Sequence, residues 1–146
     1  MGLFSTLEVS SSALSAERQR AEVVAANMAN ADSTRTADGG PFRRKQVVFT
    51  SPNATFQMHL ASASRLQPAP REGVRVARVV EDPTPPVMRY EPGHPDANKD
   101  GFVAYPAINP VTEMVDLMGA MRAYQLNASA VSASKQMITQ ALELLK

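Results

Sequence analysis

The placement of proline limits this chain more than any other feature, because all 11 prolines fall between Pro41 and Pro110. A proline inside a helix removes a backbone hydrogen bond and its ring clashes with the preceding turn, so long helices are confined to the two ends. The predicted order is helix, β-rich middle, helix. This is an α+β chain whose long terminal helices pack as an antiparallel, coiled-coil-like pair, with a small proline-rich module between them. The boundaries that follow are 1–36 for the first helical segment, 37–108 for the β-rich module and its extended connections, and 109–146 for the last helix.

Local signals mark the helix ends. Ser5-Thr6-Leu7-Glu8 has the form of a capping box and predicts a start at Ser5. The helix should run to about Asn30, because Asn30, Asp32 and Ser33 favour caps and turns and Gly39-Gly40-Pro41 blocks continuation. Asn109-Pro110 predicts the second start, with Asn109 as the cap and Pro110 at the first helical position, where its missing amide costs nothing. That helix can reach Lys146. At 1.5 Å rise per residue the two would span roughly 35 Å and 50 Å.

Between them, Lys45 to Ser51, Gly73 to Val80 and Val87 to Tyr90 read as short strands of one small sheet, with prolines separating the pieces. Thr55 to Ser64 fits strand and helix equally.

Composition narrows the function. Fifteen basic and 14 acidic residues leave a net charge of +1, which supplies no field for capturing nucleic acid or anionic lipid. Protein is the expected partner. The chain has no cysteine, which removes disulfides and thiolate sites. No apolar run is long enough to span a bilayer, and Met1 to Leu14 lack the cationic start and unbroken apolar stretch of a cleavable signal. His59 and His94 are far apart, and no nucleophile elbow or phosphate-binding glycine loop occurs, so catalysis and cofactor binding have no anchor. Asp96 to Gly101 matches the first half of a calcium loop, but its closing carboxylate would fall at Ala107. A plain turn built on an Asx side chain is expected there instead. Arg43-Arg44-Lys45 is a short basic cluster that suits a solvated strand entry or an acidic surface on another subunit.

The terminal segments carry the strongest pattern. Leu117, Tyr124, Val131, Ile138 and Leu145 recur every seven residues, and Met114, Met121, Ala128 and Leu142 form a second series broken only by Lys135. Leu7, Leu14, Ala21 and Met28 recur likewise in the first helix. A monomeric hairpin using these stripes as its own core would satisfy the periodicity. The opposite faces add more, since Ala123 to Ser134 reads AYQLNASAVSAS, without a charge over about three turns, where solvated helices normally carry Lys and Glu. Small residues also crowd the first helix at Ser10 to Ala13, Ser15, Ala16, Ala21, Ala25, Ala26 and Ala29. Both helices therefore look prepared for contact with other subunits. Asn27 and Asn30, at the end of the first helix, can cap it or reach another helix, and Arg122 can pair with a neighbour's carboxylate or face water.

Ala25-Ala26-Asn27-Met28-Ala29-Asn30-Ala31-Asp32-Ser33-Thr34 resembles the N-terminal signature of the flagellar rod and hook axial proteins, with Met28 where leucine is commoner. Arg35-Thr36 followed by Gly39-Gly40-Pro41-Phe42-Arg43-Arg44-Lys45 is similar to the proximal rod branch of that family. Glu113 to Met118 followed by Arg122-Ala123-Tyr124-Gln125-Leu126-Asn127 resembles the matching C-terminal signature, and Gly101 to Asn109 resembles the segment before it. Together these motifs cover about half the chain.

The resemblance implies a non-enzymatic rod subunit in the basal body, spanning the periplasm and exported through the flagellar type III apparatus without signal cleavage. Its two helices would form the inner layer of a tube that serves as drive shaft and export channel. Its partners would be other rod and basal-body proteins, copies of itself and the export apparatus, with no nucleic acid, no direct membrane insertion and no cofactor. The residues expected to pack between subunits are Leu7, Leu14, Ala21, Asn27, Met28, Asn30, Met114, Leu117, Met121, Arg122, Tyr124, Asn127, Val131, Ile138, Leu142 and Leu145. Another axial protein of the same family, a helical adaptor or export chaperone, and a calcium-binding module are the alternatives.

Overall fold

The structure, a computed structural model, describes residues 3–51 and 73–144. Two helices, α1 (Leu3–Ala29) and α2 (Pro110–Glu143), flank four strands, β1 (Lys45–Thr50), β2 (Arg75–Glu81), β3 (Val87–Tyr90) and β4 (Phe102–Tyr105). The class is α+β, as the proline distribution predicts. Thr55 to Ser64 and Leu145 lie outside the described residues.

α2 starts where the sequence places it. Asn109 has extended backbone, its side chain accepts from the Val111 amide at 3.0 Å, and Pro110 follows in the first turn. α1, by contrast, is already helical at Leu3, so Ser5 sits within the helix and not at its start. A capping box sets a boundary only where the preceding residues resist helix, and Leu3 and Phe4 extend it at little cost. α1 ends at Ala29, and a double-glycine turn follows, with Gly39 and Gly40 both at positive φ.

The strands form two sheets, not one. β1 pairs with β2 antiparallel, with a bulge between Val48 and Phe49, and β3 pairs with β4. Pro83, Pro85 and Pro86 lie between β2 and β3; they carry no amide donors and end the first ladder, so the chain starts a second one. β4 has no forecast in the sequence. Its signal is brief, a two-residue alternation that turns Val103 and Tyr105 inward while Phe102 stays out.

α1 is the central element. On one side α2 runs antiparallel to it: Asn27 meets Glu113 at one end, and Arg20 and Asp116 lie one step along. On another side it carries the β1–β2 sheet, whose two ends are pinned by α1 side chains. The Asn27 amide holds Lys45, and the Ser12 hydroxyl accepts from the Val74 amide at 3.1 Å. Gly73 has φ 145°, and a Cβ there would lie 2.6 Å from Ser12 Oγ, so only glycine lets the sheet approach so closely. Part of the small-residue surface of α1, Ser12 and Ala16 included, thus faces this sheet within the chain.

Candidate subunit-packing surface

The end where α1, α2 and β1 meet is held by a polar clasp. Asn27, fully buried, behaves like a piece of backbone: its Oδ1 accepts from the Lys45 amide at 2.9 Å and its Nδ2 donates to the Lys45 carbonyl at 2.8 Å. The second Nδ2 hydrogen goes to Glu113 Oε2 at 2.9 Å. Glu113 is 1% exposed, and its other oxygen accepts from Arg44 Nε at 2.6 Å. Arg44 then reaches Asp116 at 3.5 Å and Asp82 at 3.8 Å. Both carboxylate oxygens and the whole Asn27 amide are therefore paired, the condition under which a buried charge is tolerated. Hydrogen bonds from the Thr84 hydroxyl and amide, with Arg44 nearby, hold the Asp82 carboxyl below its usual range.

Beside the clasp, the β3–β4 hairpin rests on the chain that leaves α1. Val103 and Tyr105 are buried with Ala31 in this region, Thr34 donates to Asp96 at 2.8 Å, and Arg35 lies 3.7 Å from the same carboxylate. The Tyr105 hydroxyl donates to Glu91 at 2.9 Å, and that bond to a carboxylate raises its pKa. Asn98 Oδ1 accepts from the amides of Asp100 and Phe102, which makes 96–101 an Asx-type turn, and Asp96 is engaged by Thr34 and Arg35.

Along the rest of the helix pair, the contact is small and polar. On α2 the buried residues are Glu113, Ala120 and Ser134, which fall on one seven-residue series that half-buried Asn127 completes. On α1 they are Ser10, Ala16, Val24 and Asn27, of which Ala16 and Val24 also line the side toward the β1–β2 sheet. Most large apolar residues of α2 are left exposed instead: Val111, Met114, Val115, Met118, Met121, Leu126, Met137 and Leu142. Polar side chains in the uncharged stretch satisfy themselves, since Asn127 Nδ2 donates to the Ala123 carbonyl and Ser129 Oγ to the Gln125 carbonyl. Those two donors stay paired when a neighbour covers them.

The predicted packing residues divide accordingly. Leu117, Val131 and Ile138 are half-buried, whereas Met114, Met121, Tyr124 and Leu142 are exposed. Leu7, Leu14, Ala21 and Met28 are all half-buried, at the margin of α1's contact and not at its centre. The two asparagines part company: Asn27 reaches α2 and β1, while Asn30 caps its own helix, donating to the Ala26 carbonyl and accepting from Ser33. Arg122 is exposed and makes no ion pair among the described residues. The residues that sequence reasoning missed are Arg44, Glu113 and Asp116. The signal available for Glu113 was an acidic residue in the first turn of a helix, which by itself indicates only a favourable dipole.

This geometry, two long helices that spend small and polar residues on each other and keep large apolar ones outside, describes a subunit of a larger assembly. Two protein families match along the chain: Flagella basal body rod protein over residues 7–35 and Flagellar basal body rod FlgEFG protein C-terminal over 99–144. The first covers most of α1 and the second covers β4 and α2. The flagellar basal-body rod protein FlgC of Borreliella burgdorferi is 39% identical over 151 residues, covering 100% of this chain and 99% of that one. FlgC of Bacillus subtilis is 39% identical over the full length of both, and FlgC of Escherichia coli O157:H7 is 40% identical over 99% of this chain and 98% of its own. The chain belongs to the FlgC family of flagellar basal-body rod proteins, as a structural subunit of the rod. No helix among the described residues is long and apolar enough to cross a membrane.

Proposed function

We propose that the chain builds the rod through its terminal helices, which form an antiparallel coiled-coil-like strut in the wall of a tube that is both drive shaft and export channel. One observation carries this: the helix pair is inside out, with Ala120, Asn127 and Ser134 between the helices and Met114, Met118, Met121 and Leu126 outside. An exposed Leu or Met gives up about 1.5–3 kcal/mol that it recovers only when another surface covers it. Copies of this chain and other rod proteins are the covering partners, with Leu7, Leu14, Ala21, Met28, Leu117, Tyr124, Val131, Ile138, Leu142 and Leu145 also contributing. Segments 1–36 and 109–146 make the wall and 37–108 the module attached to it. The subunit travels through the flagellar type III apparatus to a rod spanning the periplasm, and it acts by packing, not by catalysis.

Leu126→Glu tests this directly. Leu126 is 65% exposed, so the substitution should move the stability of the purified chain by no more than about 0.5 kcal/mol. Rod assembly and swimming should nevertheless be lost. A strain that swims normally with this variant would exclude the helix-packing proposal.

A further inference from the structure

The flank of the helix pair carries a groove of about 550 Å³, lined by Glu17, Ala21, Ala120, Met121 and Tyr124, with the exposed Arg18 and Gln125 also along it. Its floor is apolar and it holds one anomaly. Glu17 Oε2 is buried and has no hydrogen-bond partner among the described residues. The nearest cation, Arg20 Nη1, stands 3.8 Å away and is shared with Asp116, and Arg18 is taken by Glu22 at 3.0 Å. A buried carboxylate oxygen without a donor is costly, and the cost disappears if a donor arrives from outside.

The chain carries a matching donor outside that groove. Ala120 is buried against α1, and Arg122, two residues on at about 100° per residue, lies about 200° around α2. It is a lone charge on that outward surface, flanked one turn either side by the exposed Met118 and Leu126, and from Ala123 to Ser134 no further charge follows. An arginine set among apolar side chains complements a largely apolar groove that has an acidic residue, Glu17, in its lining. A planar guanidinium also keeps its charge in such a place and can give two donors to one carboxylate.

We infer that Arg122 of one copy enters the Glu17 groove of the next copy and supplies the missing donor. Arg122 lies outside the groove, about 60° round α2 from its edge at Gln125 and about 200° from the buried Ala120, so the contact is heterologous and each copy offers both halves; such contacts repeat into rings or open helical tubes and do not stop at a dimer. This deepens the helix-packing proposal and rests on it, with a second copy of this chain as the occupant.

The test is a charge exchange in cells whose only copy of the chain is the variant. Glu17→Arg alone and Arg122→Glu alone should each cut rod recovery about tenfold or more, and the two combined in one chain should restore about half or more of it. Single variants that assemble normally, or a combined variant no better than the singles, would overturn the pairing. Because an arginine at position 17 can disturb α1 itself, a second measurement leaves the pair intact. The chain has no cysteine, so copies carrying Arg18→Cys and copies carrying Leu126→Cys can be co-expressed and treated with a short bismaleimide in assembled basal bodies. A product joining one copy of each is expected. Its absence, or a product joining this chain only to a different rod protein, would overturn the inference. Loss of the rod with Leu126→Glu together with a failed charge exchange would leave helix packing standing and remove only the Glu17–Arg122 contact.

Discussion

The two ends of the helix pair are built on opposite principles. Where α1 finishes and α2 begins, Asn27, Arg44, Glu113 and Lys45 satisfy one another within the chain, and the buried hairpin residues Val103 and Tyr105 lie close by. Toward the far end the buried residues include the small Ser10 and Ser134, while Phe4, Met137 and Leu142 are exposed. At the first end the buried polar groups are satisfied in one molecule, and the outer side of α2, with Val111, Met114, Val115 and Met118, is left exposed. The second gains its apolar burial only from another molecule, so folding and assembly draw on different residues and can be separated by substitution.

The largest expected effect lies in the clasp. Arg44→Ala leaves Glu113, 1% exposed, with a buried charge answered only by an amide. Breaking such a pair should cost about 3 kcal/mol. In a chain of this size that lowers the melting temperature by about 10 °C. An unchanged melting curve would mean that the clasp does not hold the fold. Asn109→Ala should cost about 1 kcal/mol by freeing the Val111 amide at the start of α2, measured by the same melt. Leu126→Glu sits at the bottom of the scale for stability and at the top for assembly, and that inversion is the sharpest form of the contrast between the two ends.

Much of the frame was legible because its signals are local. Asn109-Pro110 marks α2 to the residue, Val87 to Tyr90 are the bounds of β3, and the proline-free ends are the helices. The clasp was not legible, because Asn27 and Glu113 are 86 residues apart and Arg44 and Glu113 are 69 apart, and no spacing rule connects them. The two sheets were read as one because strand partners depend on where three prolines force the chain to leave a ladder. Periodicity found the right repeat on α2, and half of it in the phase that the folded chain uses. A count of apolar residues takes the heptad series through Met114 and Met121 as a seam, whereas the series facing α1 runs through Glu113, Ala120, Asn127 and Ser134. The usual rule that apolar side chains face inward holds for a chain that completes its own core, and this one leaves its largest apolar residues for a neighbour.

Methionine oxidation measures that difference most directly. Met114, Met118 and Met121 are exposed on α2 in the single chain, and brief treatment with peroxide converts accessible thioethers to sulfoxides that mass spectrometry locates residue by residue. In isolated basal bodies their oxidation should be slowed about tenfold or more relative to the free chain. Equal rates in the two states would show that this side of α2 stays wet in the rod, and that no neighbouring subunit covers it.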